Sequence, residues 1–139
     1  MPKNYGVGIV IGEETNKVSE HLYATLELDL IAVKGKDEAV RIFTMMGGPE
    51  EAQKPEYKAL RAETEAMLAT YKAMKFEESW EHMEKCREMR PDMDVLWDLY
   101  QERLEEYREN PPPADWDGVF RATSKYAIVR RRPVRRKVR

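Results

Sequence analysis

The residues with the clearest potential for chemistry are two lysines on a short turn, in the sequence Val33-Lys34-Gly35-Lys36. Glycine adopts a positive φ without steric cost, so Gly35 is typical of a tight connection between two antiparallel strands. The two ammonium groups would then project from the turn. Two interpretations remain open: a solvated hairpin tip, which is the commoner role of lysines on turns, and a loop that binds an anion such as phosphate.

Other candidates for catalysis or metal binding are weak. His21 and His82 are far apart in the sequence, and neither has neighbours with the spacing of a metal site, so both are expected to be structural or exposed. Cys86 is the only cysteine, which excludes an intrachain disulfide and argues against a cysteine-based zinc site. Because it falls on an apolar helical stripe, Cys86 is interpreted as a small buried hydrophobe and not as a nucleophile.

The lysine turn belongs to a segment with strand-like periodicity that ends at Gly47. Three strands are predicted, at Tyr5–Ile11, Tyr23–Val33 and Ala39–Met45. Between the first two, Val18 and Leu22 have the spacing of a short helix. Residues 1–47 are therefore predicted to form a small β-α-β-β unit with an antiparallel sheet.

Residues 48–110 have a helical period instead, with three apolar stripes that predict three helices. The stripes are Tyr57, Leu60, Thr64, Met67, Leu68, Tyr71 and Met74; Phe76, Trp80, Met83, Cys86 and Met89; and Val95, Leu96, Leu99, Tyr100, Arg103, Leu104 and Tyr107. Breaks are predicted at Lys75-Phe76, Pro91 and Pro111, and the short connections make the helices antiparallel neighbours. The first two resemble one tetratricopeptide-type hairpin, for which packing on its own chain is favoured over a peptide-binding array.

The remaining residues, 111–139, are predicted to be a Pro-rich segment and an irregular basic tail, so the whole chain is assigned to the α+β class. Seven of the last ten residues are Arg or Lys, which leaves 17 basic residues against 26 acidic ones in the body, a net charge of −9. The tail could fold back on an acidic helical surface, bind a phosphate-rich partner such as nucleic acid, or remain in solvent.

Composition limits the remaining possibilities. The chain has 139 residues, 42% of them hydrophobic and 36% charged, which suits one helix-rich globular unit. No apolar run approaches the roughly 20 residues that a membrane span needs. A lone cysteine and the lack of a secretory pattern favour a cytoplasmic location.

The order of motifs in residues 6–46, about a third of the chain, resembles the C-terminal end of a bacterial class III adenylate/guanylate cyclase domain. The motifs that carry the resemblance are Gly12-Glu13-Glu14-Thr15, Glu27-Leu28-Asp29, Val33-Lys34-Gly35-Lys36, Val40-Arg41-Ile42-Phe43 and Met46-Gly47. The helical segment and Pro111–Phe120 also resemble an extension that follows the cyclase domain in some bacterial enzymes.

This resemblance implies a nucleotide-binding role for Lys34 alone, since in the family the first lysine of this turn contacts the triphosphate. The two metal-binding aspartates, the purine-selecting pair and the transition-state Asn and Arg of the family all lie upstream of the matched stretch. The complete family domain uses Mg²⁺ or Mn²⁺ with ATP or GTP and works as a dimer. One lysine cannot perform a two-metal phosphoryl transfer, so the chain alone is predicted to be inactive and to need no cofactor.

Two functions from different classes follow. In the first, the chain is the C-terminal part of a cyclase, with a helical extension that regulates or dimerises the catalytic domain. In the second, it is an independent module that binds a protein or nucleic acid through its helices and the Arg-rich tail. Either way, three strands expose an apolar face. We expect the Tyr57, Trp80 and Leu99 stripes to cover that face, or two chains, or the rest of a cyclase domain, to pair with it.

Overall fold

A computed structural model describes residue 5, residues 7–32 and residues 38–121 of the chain. In the N-terminal part, strand β1 (Val10–Gly12) leads into helix α1 (Glu13–Ser19), and strands β2 (Ala24–Ala32) and β3 (Val40–Gly47) follow. Both β1 and β2 pair with β3 in the antiparallel sense. The predicted β-α-β-β order is therefore confirmed. The first strand is shorter than predicted, because Tyr5 lies in the hydrophobic core instead of pairing in the sheet.

The second strand contains a bulge that changes which face each side chain occupies. Glu27 pairs with Phe43 and Asp29 with Ile42, so one extra residue, Leu28, lies in β2 between consecutive partners. An extra residue shifts the two-residue alternation by one position. Regular alternation would place Leu30 in the core with Leu28, whereas the structure buries Ile31 and leaves Leu30 half-buried. The same shift brings Asp29 into the core.

Helices α2 (Pro49–Ala52), α3 (Pro55–Lys72), α4 (Phe76–Met89) and α5 (Asp94–Glu109) form the second part of the chain. The short helix α2 was not among the predictions. The three long helices end where breaks are predicted: Met74 has a left-handed φ of 64° after α3, a 3-10 turn at Pro91–Met93 follows α4, and prolines follow α5.

Side-chain contacts show that neighbouring long helices are antiparallel. Early residues of α4 contact late residues of α3, as in the hydrogen bond from Ser79 Oγ to the Met67 carbonyl, and Cys86 farther along α4 contacts the earlier Thr64. The same inversion relates α4 to α5, where Arg87 contacts Asp98 and Glu77 contacts Arg108. The antiparallel helical segment is thus observed as predicted.

A fourth strand closes the other side of the sheet. Strand β4 (Phe120–Arg121) pairs with β2 in the parallel sense, and the sheet order is β1-β3-β2-β4. The α+β class is confirmed, but the sheet is mixed, and its strand at residues 120–121 lies in a segment for which no strand is predicted. Trp116 anchors the segment by packing against Tyr71 and Tyr107, which places Phe120 beside Ile31.

One hydrophobic core joins the sheet to the helices. Its buried members include Leu26, Leu28 and Ile31 of β2 together with apolar residues from every long helix. The Tyr57 hydroxyl also donates to the Thr25 carbonyl at 2.7 Å and accepts from the Thr25 amide at 3.1 Å, fixing α3 to β2. Packing of helices on the sheet, one of the expected ways to cover it, is observed for α3 and α5, whereas α4, which carries the Trp80 stripe, packs on α3 and α5.

Candidate functional site

Lys34, the nucleotide-binding residue implied by the sequence, lies outside the described residues. The structure describes the two strands on either side of it. Strand β2 ends at Ala32, β3 begins at Val40, and Ile31 pairs with Val40 in an antiparallel register. Residues 33–39 thus connect two paired neighbouring strands, as the predicted hairpin requires. A role for Lys34 in anion binding stays a prediction.

A buried ion pair links β2 to α5. The Arg103 Nη1 and Nη2 atoms each donate to one Asp29 carboxylate oxygen, both at 2.8 Å. The side chains are only 4% and 1% exposed. Paired parallel hydrogen bonds of this kind match the planar guanidinium to the carboxylate and fix its orientation. Burial alone would lower the pKa of Arg103, but the adjacent Asp29 carboxylate raises it well above its ordinary value.

Three tyrosines complete the surroundings of this pair. The Tyr5 hydroxyl donates to Asp29 Oδ2 at 2.9 Å, and the Tyr100 hydroxyl donates to the Leu28 carbonyl at 2.6 Å and lies 3.2 Å from Asp29 Oδ1. Arg103 also approaches the Tyr71 hydroxyl at 3.4 Å. Burial and the Asp29 carboxylate both raise the pKa of the Tyr5 and Tyr100 hydroxyls, so they remain protonated donors.

The Phe120 ring of β4 covers the Arg103 guanidinium, with 3.7 Å between the guanidinium carbon and the ring centroid. Such a cation–π contact stabilises a desolvated cation. The Asp29–Arg103 pair therefore holds together three separate parts of the chain: β2, α5 and β4. Because each charge is neutralised by the other and both are shielded from water, the pair acts as a structural clamp, in which the buried Arg103 Nε atom is left without a hydrogen-bond partner among the described residues.

A polar cleft opens between α1, the sheet and α3. Its volume is about 270 Å³. The residues that line it are Glu13, Asn16, Lys17, Glu20, Thr25, Glu27, Phe43, Arg61 and Glu65. Four carboxylates and two cations make the lining acidic. Glu27 also accepts hydrogen bonds from Arg41 at 2.8 Å and from Lys72 at 3.2 Å, and Arg61 donates to Glu65 at 2.9 Å.

Three apolar side chains in or next to β1 and α1 are exposed. Ile9, Val18 and Leu22 are 54%, 74% and 57% exposed. Among the described residues, β1 pairs with β3 alone, so its other edge is open. An open strand edge flanked by exposed apolar side chains is typical of a surface that another chain or domain covers.

The remaining sequence candidates are structural or exposed, as predicted. His21 is exposed, and His82 contacts the Glu63 carboxylate across the α3–α4 interface. Cys86 is buried 3.6 Å from the Thr64 hydroxyl, and burial raises the pKa of its thiol to about 11. Within the part of the chain that the structure describes, no group of three or more His, Cys, Asp or Glu side chains could hold a metal ion.

In the sequence, Asp29 belongs to a strand motif and Arg103 to an apolar helical stripe, and neither is predicted to form a buried ion pair. The one usable signal was the stripe itself, because an arginine among Leu99, Tyr100 and Leu104 requires a buried counter-charge. Nothing in the local sequence identified Asp29 as that counter-charge, since the alternation placed it with Glu27 on the polar face.

Comparison with known proteins leaves the family open. No family model matches the chain, and no curated protein or solved structure matches it significantly. None of the described helices has the length and apolar character to cross a membrane. The cyclase resemblance thus rests on the motifs of residues 6–46.

Proposed function

We propose that this chain is the C-terminal part of a class III nucleotide cyclase, inactive alone, which combines the last strands of the catalytic domain with a helical extension. Its partner is the rest of such a domain, and self-association through the same surface follows if the catalytic domain dimerises. Lys34 contacts the triphosphate of ATP or GTP, and Mg²⁺ or Mn²⁺ is held by the partner. A cytoplasmic location, where these nucleotides are found, belongs to the proposal.

The open edge of β1, with Ile9, Val18 and Leu22 exposed beside it, is the observation that carries the proposal. The helices of this chain cover one face of the sheet, and among the described residues the outer edge of β1 has no partner strand. A larger domain that continued from β1 would bury these apolar side chains and pair the free strand edge.

The helical extension supports a regulatory or dimerising role because it is fixed to the sheet. The Asp29–Arg103 ion pair and the Tyr100 hydrogen bond to Leu28 both join α5 to β2, the strand that leads into the Lys34 turn. A movement of α5 would therefore act directly on the strand that carries the proposed phosphate contact.

The experiment combines the purified chain with a separately expressed class III cyclase core that lacks the segment from the first matched strand onward. With Mg²⁺ or Mn²⁺ and ATP or GTP, we expect cyclic product only from the mixture. Val18→Glu and Leu22→Glu should abolish the restored activity, because each buries a charge in the contact. Met89→Glu, at an exposed methionine of α4, is the matched control and should leave the activity unchanged.

The nucleotide contact has its own test in the same mixture. Lys34→Gln should raise the KM for the triphosphate about tenfold, since a charge-assisted hydrogen bond to phosphate is lost. Lys36→Gln on the other side of Gly35 serves as its control. Cyclic product from the chain alone, or full activity of the core without it, would refute the proposal.

The basic tail favours the second candidate function, a module that binds nucleic acid. Seven basic residues among the last ten suit contacts to phosphates. Binding to a short RNA or DNA duplex should then weaken steeply with added salt and disappear when Arg130–Arg139 is removed. If the full chain binds neither nucleic acid at low salt, only the cyclase proposal remains.

A further inference from the structure

The polar cleft has charged and amide side chains in its lining that the proposed cyclase contact does not use. Glu13, Asn16, Lys17 and Glu20 follow the i, i+3, i+4, i+7 spacing of one helical face, and all four line the cleft. The apolar Val18 and Leu22 lie on a different face of the same segment. The cleft is therefore separate from the surface assigned above to the rest of a cyclase domain.

One buried acceptor in this lining has no partner. Asn16 is 5% exposed, and its Nδ2 atom donates to Glu20 Oε1 at 3.4 Å. Its Oδ1 atom is buried without a hydrogen-bond partner among the described residues. A buried polar atom left unpaired is costly, so an unpaired amide oxygen at the wall of a polar cleft indicates a missing hydrogen-bond donor.

We propose that this cleft binds a guanidinium group. Glu13, Glu20 and Glu65 provide anionic acceptors in the same lining as Asn16, and Phe43, which also lines the cleft, adds an aromatic side chain. A planar cation with several N–H donors fits that combination, because it pairs with carboxylates, donates to an amide oxygen and stacks on an aromatic ring at once.

Other ligand classes fit less well. Glu13 and Glu20 lie 3.8 and 4.0 Å from the guanidinium nitrogens of Arg41 and Arg61, beyond hydrogen-bond distance, so these two carboxylates keep acceptor capacity that favours a cation over an anion. The described residues hold no cluster suited to a metal ion. Arg61 already shows that these carboxylates accept a guanidinium, since its Nε donates to Glu65 at 2.9 Å and its Nη2 lies 4.0 Å from Glu20. A volume of about 270 Å³ leaves room for a second such group.

A guanidinium could come from two sources. One is the Arg-rich C-terminal tail of this chain, residues 130–139, and the other is an arginine of a separate molecule. The chemistry recognised by the cleft is the same in both cases, so the proposal concerns the cleft and the experiment distinguishes the sources. It stands independently of the proposed cyclase role.

The probe is N-acetyl-arginine amide, titrated into the full chain and into the chain without residues 130–139 while the side-chain amide resonances of Asn16 are followed by NMR. Saturable shifts of those resonances are expected, with N-acetyl-citrulline amide, the neutral analogue, binding at least about tenfold more weakly. A tail that occupies the cleft would make the probe bind more tightly to the shortened chain. Equal affinity for both chains would identify an external source.

Two variants check that the shifts come from the cleft. Asn16→Leu removes the unpaired oxygen, and Glu65→Gln, at a largely exposed position, removes a charge without a change of size. Calorimetric titration should show each affinity reduced about tenfold. Glu78→Gln, on an exposed position of α4 outside the cleft, should bind as the unmodified chain does.

Absence of saturable binding to both chain lengths, or equal binding of arginine and citrulline probes, would overturn the proposal. So would an unchanged affinity of Glu65→Gln, whether or not Asn16→Leu folds.

Discussion

At the scale of single residues, the Arg103 guanidinium is the group on which most of the structure depends. It is paired with Asp29, approached by the Tyr71 hydroxyl and covered by Phe120, and it is 4% exposed. A buried charge is tolerated only while its partner is present, because the isolated charge has lost its hydration. The contribution of the pair to stability is therefore revealed when one of its two residues is replaced.

We therefore expect Arg103→Leu to lower the free energy of unfolding by about 3 to 5 kcal/mol, since Asp29 is left as an unpaired buried carboxylate. Urea denaturation followed by circular dichroism measures the loss. The double variant Asp29→Leu/Arg103→Leu should lose less stability than the losses of Asp29→Leu and Arg103→Leu added together. Arg90→Leu, which breaks the exposed Arg90–Asp92 pair, is the control and should cost less than about 1 kcal/mol. Equal losses for Arg103→Leu and Arg90→Leu would contradict a structural clamp.

Cys86 gives a second prediction at this scale. With the pKa of its buried thiol raised to about 11, roughly one molecule in a thousand carries a thiolate at pH 8. A thiol reagent such as 5,5′-dithiobis(2-nitrobenzoate) should thus label the native chain far more slowly than the chain in concentrated urea. As the only cysteine, Cys86 accounts for all of the signal. Rapid stoichiometric labelling of the folded chain would show that the thiol is accessible and activated.

At the scale of elements, periodicity predicted most of the long helices and the order of the first three strands. It succeeded there because each stripe faces one continuous core, as with Leu60, Met67 and Tyr71 of α3. It failed at the bulge in β2, because an inserted residue is decided by pairing with β3 and leaves no trace in the alternation of β2. It also failed at β4, where the pairing depends on the docking of Trp116 against Tyr71 of α3, which is distant in the sequence.

The residues of the candidate sites differ in the same way in how far the sequence predicts them. Positions within one element could be found from spacing, as the shared face of Glu13, Asn16 and Glu20 shows. The Asp29–Arg103 pair joins residues 74 positions apart, and the cleft is completed by Arg61 and Glu65 of α3. Such combinations follow from the packing of the elements and are not encoded in any local pattern.

A substitution at Gly118, in the turn before β4, tests whether that turn holds the strand in place. Gly118 has a φ of 83°, and a Cβ at this position would lie 2.9 Å from Lys72 Cγ. Gly118→Ala should lower the free energy of unfolding by about 1 to 2 kcal/mol, because an L-residue is strained in this conformation and the Lys72 side chain must move. Thermal and urea unfolding measure the change. Gly8→Ala, where an added Cβ meets nothing within 4 Å, should have little effect. Equal stability of the two variants would mean that β4 does not depend on the left-handed turn.

At the scale of the whole molecule, the sheet and the helices share one core, so neither is expected to be stable without the other. Leu26, Leu28 and Ile31 of β2 belong to the same buried cluster as Leu60, Leu96 and Leu104 of the helices. Removing the strands would expose these helical residues and would also leave Arg103 without its counter-charge. The sequence boundary at residue 47 marks a change of periodicity, and the core continues across it.

The final prediction is that residues 48–139 alone lose the cooperative unfolding of the full chain. The lost apolar contacts and the unpaired Arg103 charge each destabilise by several kcal/mol, comparable to the total stability of a small domain. The fragment should retain helical circular dichroism but melt broadly, whereas the full chain should melt in one transition reported equally by tryptophan fluorescence and circular dichroism.

A chain shortened by Arg130–Arg139 is the matched control for loss of residues, and it should melt as the full chain does because the described core ends before that segment. A fragment that unfolds sharply at the temperature of the full chain would show that the helices form a domain of their own, and the coupling of α5 to the Lys34 turn would then fail with it.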